Sequence, residues 1–230
     1  YTVLTREWYQ KEFKKHNLDY ELIEGDELTS EIKSGSFLDA FGTIHYKNTQ
    51  MAKLAKFFQN NDIKKLFVDD IWFPGLEGLK YMEGIGKRPK VKIYGVMHAG
   101  SWIPSDDVAV YLGNDGWCRN FEKSIMDLTE KVFVGSNFHK QQMLINLGRE
   151  YETKIINTGL PFYPSLILDT LKLKSWNEKE DIVLFPHRIH PEKQPELFDE
   201  LEKRIKLKYP HVQFIKTLPL NLSKQELYEL

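Results

Sequence analysis

The stretch Asp181-Ile182-Val183-Leu184-Phe185-Pro186-His187-Arg188-Ile189-His190-Pro191-Glu192-Lys193 changes character twice. Ile182 to Phe185 is an unbroken apolar run, the pattern of a strand covered on both faces. Pro186 ends it. Pro191 suits the first position of a helix, where a missing N–H costs nothing, so the spacing predicts a helix over 191–208. Within it Leu197, Leu201 and Ile205 form an i, i+4 stripe beside Phe198, which needs a sheet to pack on. A second β-rich run, Val212 to Lys216, follows. Strand, helix and strand in this order predict parallel α/β layering.

Upstream the same alternation repeats. Candidate strands are Tyr20 to Glu24, Lys65 to Val68, Val91 to Met97, Lys131 to Gly135 and Lys154 to Asn157. Candidate helices are Asn48 to Gln59, Trp117 to Glu130 and Phe138 to Leu147. Between Thr158 and Lys179 the composition changes, with Pro161, Pro164, Trp176 and a polar Asn177 to Glu180 stretch ahead of a fresh strand, so a boundary is expected there. The predicted organisation is a Rossmann-like domain over 1–160, a linker over 161–180 and the start of a second domain over 181–230. Tyr1 to His16 already carries an amphipathic pattern, and Ser223 with Glu226 makes a capping box at the far end. Further chain is therefore expected before Tyr1 and after Leu230.

The 230 residues are 41% hydrophobic and 28% charged, with 32 Lys+Arg against 33 Asp+Glu. A net charge of -1 supplies no overall field for a polyanion, so nucleic acid is not indicated, and any such role would need a local patch. No apolar stretch approaches the roughly 18 residues of a membrane span, and no stable membrane insertion is expected. Cys118 stands alone, which precludes an internal disulfide and suggests a reducing, cytoplasmic setting.

In doubly wound sheets ligands gather at the carboxyl ends of strands, where helix N-termini expose unpaired N–H groups. That rule directs attention to residues following each apolar run. After Phe185 stand Arg188 and Lys193, a forked guanidinium and an ammonium expected beside a helix start; together they would hold a diphosphate without metal. Charge growing on a departing diphosphate would be stabilised by both. After Met97 comes His98, placed to hydrogen-bond a hydroxyl or to serve as a structural ring on a carbonyl. Asp69 and Asp70 follow Val68; Asp70 could orient an acceptor hydroxyl or act as base if the reaction inverted, or simply shape a turn. Ser136 is a helix cap or a ligand contact.

The segment Asp181 to Leu201, DIVLFPHRIHPEKQPELFDEL, resembles the opening of the second domain in GT-B glycosyltransferases of the large retaining group, where a strand leads to Arg, four residues, then Lys and a helix. Val132 to Lys140 and Lys154 to Pro161 are similar to that group's last N-domain strand with its helix and to its interdomain strand. The likeness covers Lys131 to Leu230 by motif and the earlier chain by architecture alone. It implies a two-domain GT-B fold and transfer of a sugar from a nucleoside-diphosphate sugar to an unidentified acceptor, with retention. Arg188 and Lys193 would bind the donor diphosphate and His98 the sugar or acceptor, and no cofactor is implied. His187 stands where the family usually has Gly, and Thr217-Leu218-Pro219 replaces a Gly-containing turn, which changes the contacts available to the nucleotide base. The family's Gly-rich loop and paired-Glu segment would fall before Tyr1 and after Leu230.

The remaining features are bland. His187 and His190 flank Arg188 without a carboxylate or thiol at ligand spacing, so no metal is expected. His45 and His139 read as surface residues. Lys87 to Lys90 is a short basic loop, and Trp72 to Gly75 and Ser101 to Trp117 read as aromatic loops. An epimerase or glycan phosphorylase of the same architecture, or a binding module without turnover, are the alternatives to sugar transfer.

Overall fold

A computed structural model describes residues 4–28, 39–86, 90–104, 106–113, 116–161, 164, 168, 175–187, 189–220, 222 and 226. The chain divides into two compact units after Pro161.

The first unit is an open parallel sheet of four strands, β1 (Lys65–Val68), β2 (Lys92–Val96), β3 (Lys131–Val134) and β4 (Ile155–Asn157), in chain order. A π-helical turn (Leu4–Tyr9) runs into α1 (Gln10–Lys15), and α2 (Ala40–Asn60) precedes the sheet. α3 (Gly78–Ile85) joins β1 to β2, α4 (Asp107–Leu112) and α5 (Gly116–Leu128) join β2 to β3, and α6 (Asn137–Leu147) joins β3 to β4. Side chains alternate across a strand, so the register sets Leu66, Val68, Ile93, Val132, Val134 and Ile155 on one face. That face forms the core with Ile125 and Met126 of α5 and Met143, Leu144 and Leu147 of α6. Each fully buried branched side chain there contributes about 1.5–3 kcal/mol by leaving water. The opposite face carries Phe67, with the ring of Tyr9 edge-on at 5.5 Å.

Several predicted boundaries move. Tyr20 to Glu24 is not a strand: its backbone is engaged by α2 side chains, with Gln50 Nε2 donating to the Ile23 carbonyl at 2.8 Å and Lys53 Nζ to that of Glu24 at 3.0 Å. A carbonyl satisfied this way needs no neighbouring strand. α2 begins at Ala40, ahead of the apolar periodicity that marks it from Asn48. α4 lies within the Ser101 to Trp117 stretch read as an aromatic loop, and α3 lies where no element was predicted. The amphipathic pattern at the start splits into the π-turn and α1, beyond whose C-cap, His16, Asn17 takes the left-handed region (φ 52°).

The second unit contains β5 (Ile182–Phe185), α7 (Pro195–Lys206) and β6 (Gln213–Lys216), the two strands parallel with Ile182 opposite Gln213 and Phe185 opposite Lys216. Phe198 anchors α7 on this pair, its ring 5.2 Å from Phe185 and 5.4 Å from Phe214. Such ring pairs add about 0.5–1.5 kcal/mol beyond their area. The predicted helix over 191–208 is two pieces: a 3-10 turn (Pro191–Lys193), then Gln194 with φ 52°, then α7. Pro195, not Pro191, starts the α-helix, because a left-handed Gln194 interrupts the helical path and Pro195 supplies a fresh first position.

Among the described residues no helix is long and apolar enough to cross a membrane, and no three His, Cys, Asp or Glu side chains group as metal ligands.

Candidate active site

Parallel pairing brings the carboxyl ends of β1, β2 and β3 side by side. The ladder continues past the strands: Ile71 N donates to Val96 O at 2.9 Å and Met97 N to Phe133 O at 2.9 Å. The segments Asp69 to Trp72 and His98 to Trp102 therefore leave the sheet as neighbours. His98 is half-buried, and its Nε2 lies 2.8 Å from the backbone oxygen of Asp69. A carbonyl only accepts, so Nε2 carries the hydrogen and, in the neutral ring, Nδ1 is the acceptor.

Asp70 is fixed from two sides. Its Oδ1 accepts from Trp72 N at 3.2 Å in an Asx-type turn, and its Oδ2 lies 3.5 Å from Lys47 Nζ. Lys47, reaching over from α2, also donates to the Trp72 carbonyl and sits 5.4 Å from the Phe73 ring centre. Its side chain is only 15% exposed, against 36% for Asp70, so the ammonium is the desolvated partner of the pair.

Beneath these segments lies Glu122 of α5, fully buried. Oε1 accepts from Trp72 Nε1 at 3.0 Å and from Ser101 N at 2.7 Å, and Oε2 lies 2.8 Å from Ser101 Oγ. Burial pushes its carboxyl above the usual range and the Asp106 charge adds to the rise, while the bonds from Ser101 and Trp72 oppose it. His139 is also buried, not at the surface as its sequence context suggested. It shares the inner face of α6 with Met143, Leu144 and Leu147. Its ring centre is 6.1 Å from Trp102. Burial, then the neighbouring His98, holds His139 below the usual imidazole range, so it is neutral at physiological pH. Its Nε2 and Trp102 Nε1 are buried without a hydrogen-bond partner among the described residues.

Ser136 caps α6, its Oγ accepting from His139 N at 3.1 Å. In the second unit, His187 follows β5 as an exposed ring, edge-on to Phe185 at 5.5 Å. Lys193 is exposed in the 3-10 turn, its N–H donating to the His190 carbonyl at 2.9 Å; it precedes α7 rather than lying in its first turn. Arg188 lies outside the described residues, as do Lys87 to Pro89 of the basic loop and Ser223 of the terminal capping box.

The fold thus gathers His98 and Asp70 at the carboxyl end of the sheet and adds Glu122 and Lys47, which sequence reading passed over, and His139, which it placed at the surface. Glu122 and His139 were detectable, because each occupies the apolar stripe of its helix, Glu122 with Cys118, Ile125 and Met126. Lys47 precedes the periodic part of α2 and gave no such signal. No family model matches the chain, and no curated protein matches it.

Proposed function

We propose that the protein is a glycosyltransferase of GT-B type that moves a sugar from a nucleoside-diphosphate sugar to an acceptor. The observation that carries this reading is the placement of His98 and Asp70 at the adjoining carboxyl ends of β1 and β2, the position where open parallel sheets bind ligands. The parallel β5-α7-β6 unit, with His187 and Lys193 following its first strand, supports it in a second place. In this reading Arg188 and Lys193 take the donor diphosphate and stabilise the charge that develops as it leaves. His98 contacts the sugar or acceptor, its ring held in place by the bond from Nε2 to Asp69. Asp70, held 3.5 Å from Lys47, orients an acceptor hydroxyl. Retention of configuration rests on the family likeness alone, and Ser136, occupied by its cap, is left a structural part.

The test has two stages. Thermal shifts against UDP, GDP, ADP and TDP should single out one nucleotide, since a ligand that binds only the folded chain raises stability by mass action. Transfer of labelled sugar from the matching donor should then fall about 10²-fold or more in Arg188→Ala and in Lys193→Ala with the fold intact. Wild-type rates in both variants would end the assignment. Binding without turnover would make the chain a binding module, and epimerised or phosphorolysed products would move it to another enzyme class.

A further inference from the structure

Glu122 sits on α5, away from the strand ends, yet each of its three hydrogen bonds goes to a segment that leaves them. Trp72 Nε1 bonds it from the segment after β1; Ser101 N and Ser101 Oγ bond it from the segment after β2. The two segments carry the groups of the candidate site. Trp72 is joined to Asp70 through its own amide N–H, and Ser101 lies three residues beyond His98, which bonds back to Asp69. Glu122 and the His98 to Asp69 bond thus bridge the same pair of segments.

An apolar side chain in place of Glu122 would fill the space but strand an indole N–H, an amide N–H and a hydroxyl in a dry interior. Partly satisfied polar networks are worse than none, so this one is kept whole or lost together. The aromatic packing of Trp72 on Phe121, ring centres 4.9 Å apart, fixes the indole plane but supplies no acceptor for its nitrogen. Among the described residues no cation pairs with Glu122, and the one charge acting on it, Asp106, is repulsive. Its bonds to neutral donors are therefore what fixes the carboxyl group in place.

We infer that Glu122 is a positioning residue: from α5 it locks the segments after β1 and β2 in one register, so that the Asp70 carboxylate and the His98 imidazole are presented together. The inference rests on the reading of those two groups as facing the reactants, but the positioning is measurable without turnover.

The experiment uses the intact full-length protein with 15N-labelled histidine rings, in wild type, Glu122→Ala, Glu122→Gln and Tyr151→Phe. The last removes a different buried partner, the tyrosine hydroxyl that donates to Asp127 Oδ1 at 2.9 Å. Exchange of the His98 Nε2 hydrogen with solvent, slowed by its bond to Asp69, should quicken about tenfold or more in Glu122→Ala as the segments open locally. Transfer kcat should fall about tenfold or more with donor KM unchanged, because the groups are misplaced rather than removed. Glu122→Gln keeps the Oε1 acceptor and offers its amide hydrogens to Ser101 Oγ, so it should restore both readouts. Tyr151→Phe should lower stability while leaving both unchanged. If Glu122→Ala does not fold, Trp72→Phe and Ser101→Ala each remove part of the network and should quicken His98 exchange about threefold or more. Unchanged exchange in Glu122→Ala, or in both substitutes, would overturn the inference. Wild-type protein without transfer would overturn the sugar-transfer reading instead, and a quickened His98 exchange in Glu122→Ala would still uphold the positioning role.

Discussion

The ring of His98 and the backbone oxygen of Asp69, 2.8 Å apart, join the ends of two adjacent strands through a side chain rather than through the sheet ladder. The contact has two consequences. It fixes the imidazole tautomer, with the hydrogen on Nε2, and it makes His98 part of the scaffold as well as a candidate for chemistry. His98→Ala should therefore lower unfolding free energy by about 1 kcal/mol, the net worth of one such bond. If His98 meets the substrate, turnover should fall about 10²-fold or more in addition. Urea unfolding set beside a transfer assay separates the roles: stability loss with full activity would reduce His98 to a tether.

Glu122 predicts a dependence of stability on pH. Its carboxyl titrates higher in the folded chain than in the unfolded one, where it behaves as an ordinary glutamate. The folded state thus holds the proton more tightly, so the contribution is complete below the ordinary range and is lost as pH rises through the folded value. Glu122→Gln, which imitates the protonated form, has nothing to lose. The stability of Glu122→Gln relative to wild type should grow as pH rises above the ordinary glutamate range, by no more than about 1.4 kcal/mol per pH unit. A difference independent of pH would mean that the buried carboxyl titrates normally.

Two tyrosines should ionise late. Tyr9, through burial and then the Asp69 charge, and Tyr151, through burial and then its bond to Asp127, are each raised to about 12. Since neutral phenol is the favoured folded form, their contribution is whole below the ordinary value of 10.0 and disappears as pH rises through about 12. Absorbance at the phenolate band should show Tyr9→Phe and Tyr151→Phe each removing one late titration. Asp69→Asn should bring Tyr9 only part of the way back, because burial is the larger cause.

Gly95 of β2 is a packing requirement. A Cβ there would lie 2.5 Å from Ile71 Cδ1 and 2.8 Å from the Val68 carbonyl oxygen, and Ile71 is fully buried with no direction to retreat. Gly95→Ala should cost about 1–3 kcal/mol and displace the strand end that leads to His98. Gly84, inside α3 with nothing within 4 Å of a built Cβ, gives the opposite expectation: Gly84→Ala should add up to about 1 kcal/mol. Chemical denaturation of both variants checks the pair.

Much of the layout was legible because it depends on local pattern. Runs such as Val132-Phe133-Val134 and Ile182 to Phe185 have no polar residue to turn outward, which marks a covered parallel strand without any knowledge of its neighbours. Tyr20 to Glu24, β-rich but broken by Glu21 and Glu24, is not a strand: the donors reaching its backbone, Gln50 and Lys53, come from a helix more than twenty residues away in sequence. The start of α7 was misread for a related reason. Pro191 and Pro195 both carry the signature of a first helical position, and only the left-handed backbone of Gln194 between them selects the second.

At the site the division is the same. Sequence alone determined which residues follow apolar strands, and so brought His98, Asp70, Ser136, His187, Arg188 and Lys193 forward. Tertiary structure decided what the described ones among them touch: His98 on a carbonyl of the neighbouring segment, Asp70 against Lys47, Ser136 on its own helix, and a buried glutamate beneath two of the loops. Strand and helix periodicities are set by residues a few positions apart, whereas hydrogen-bond partners such as Glu122 and Trp72 are separated by fifty positions and meet only when the sheet has formed.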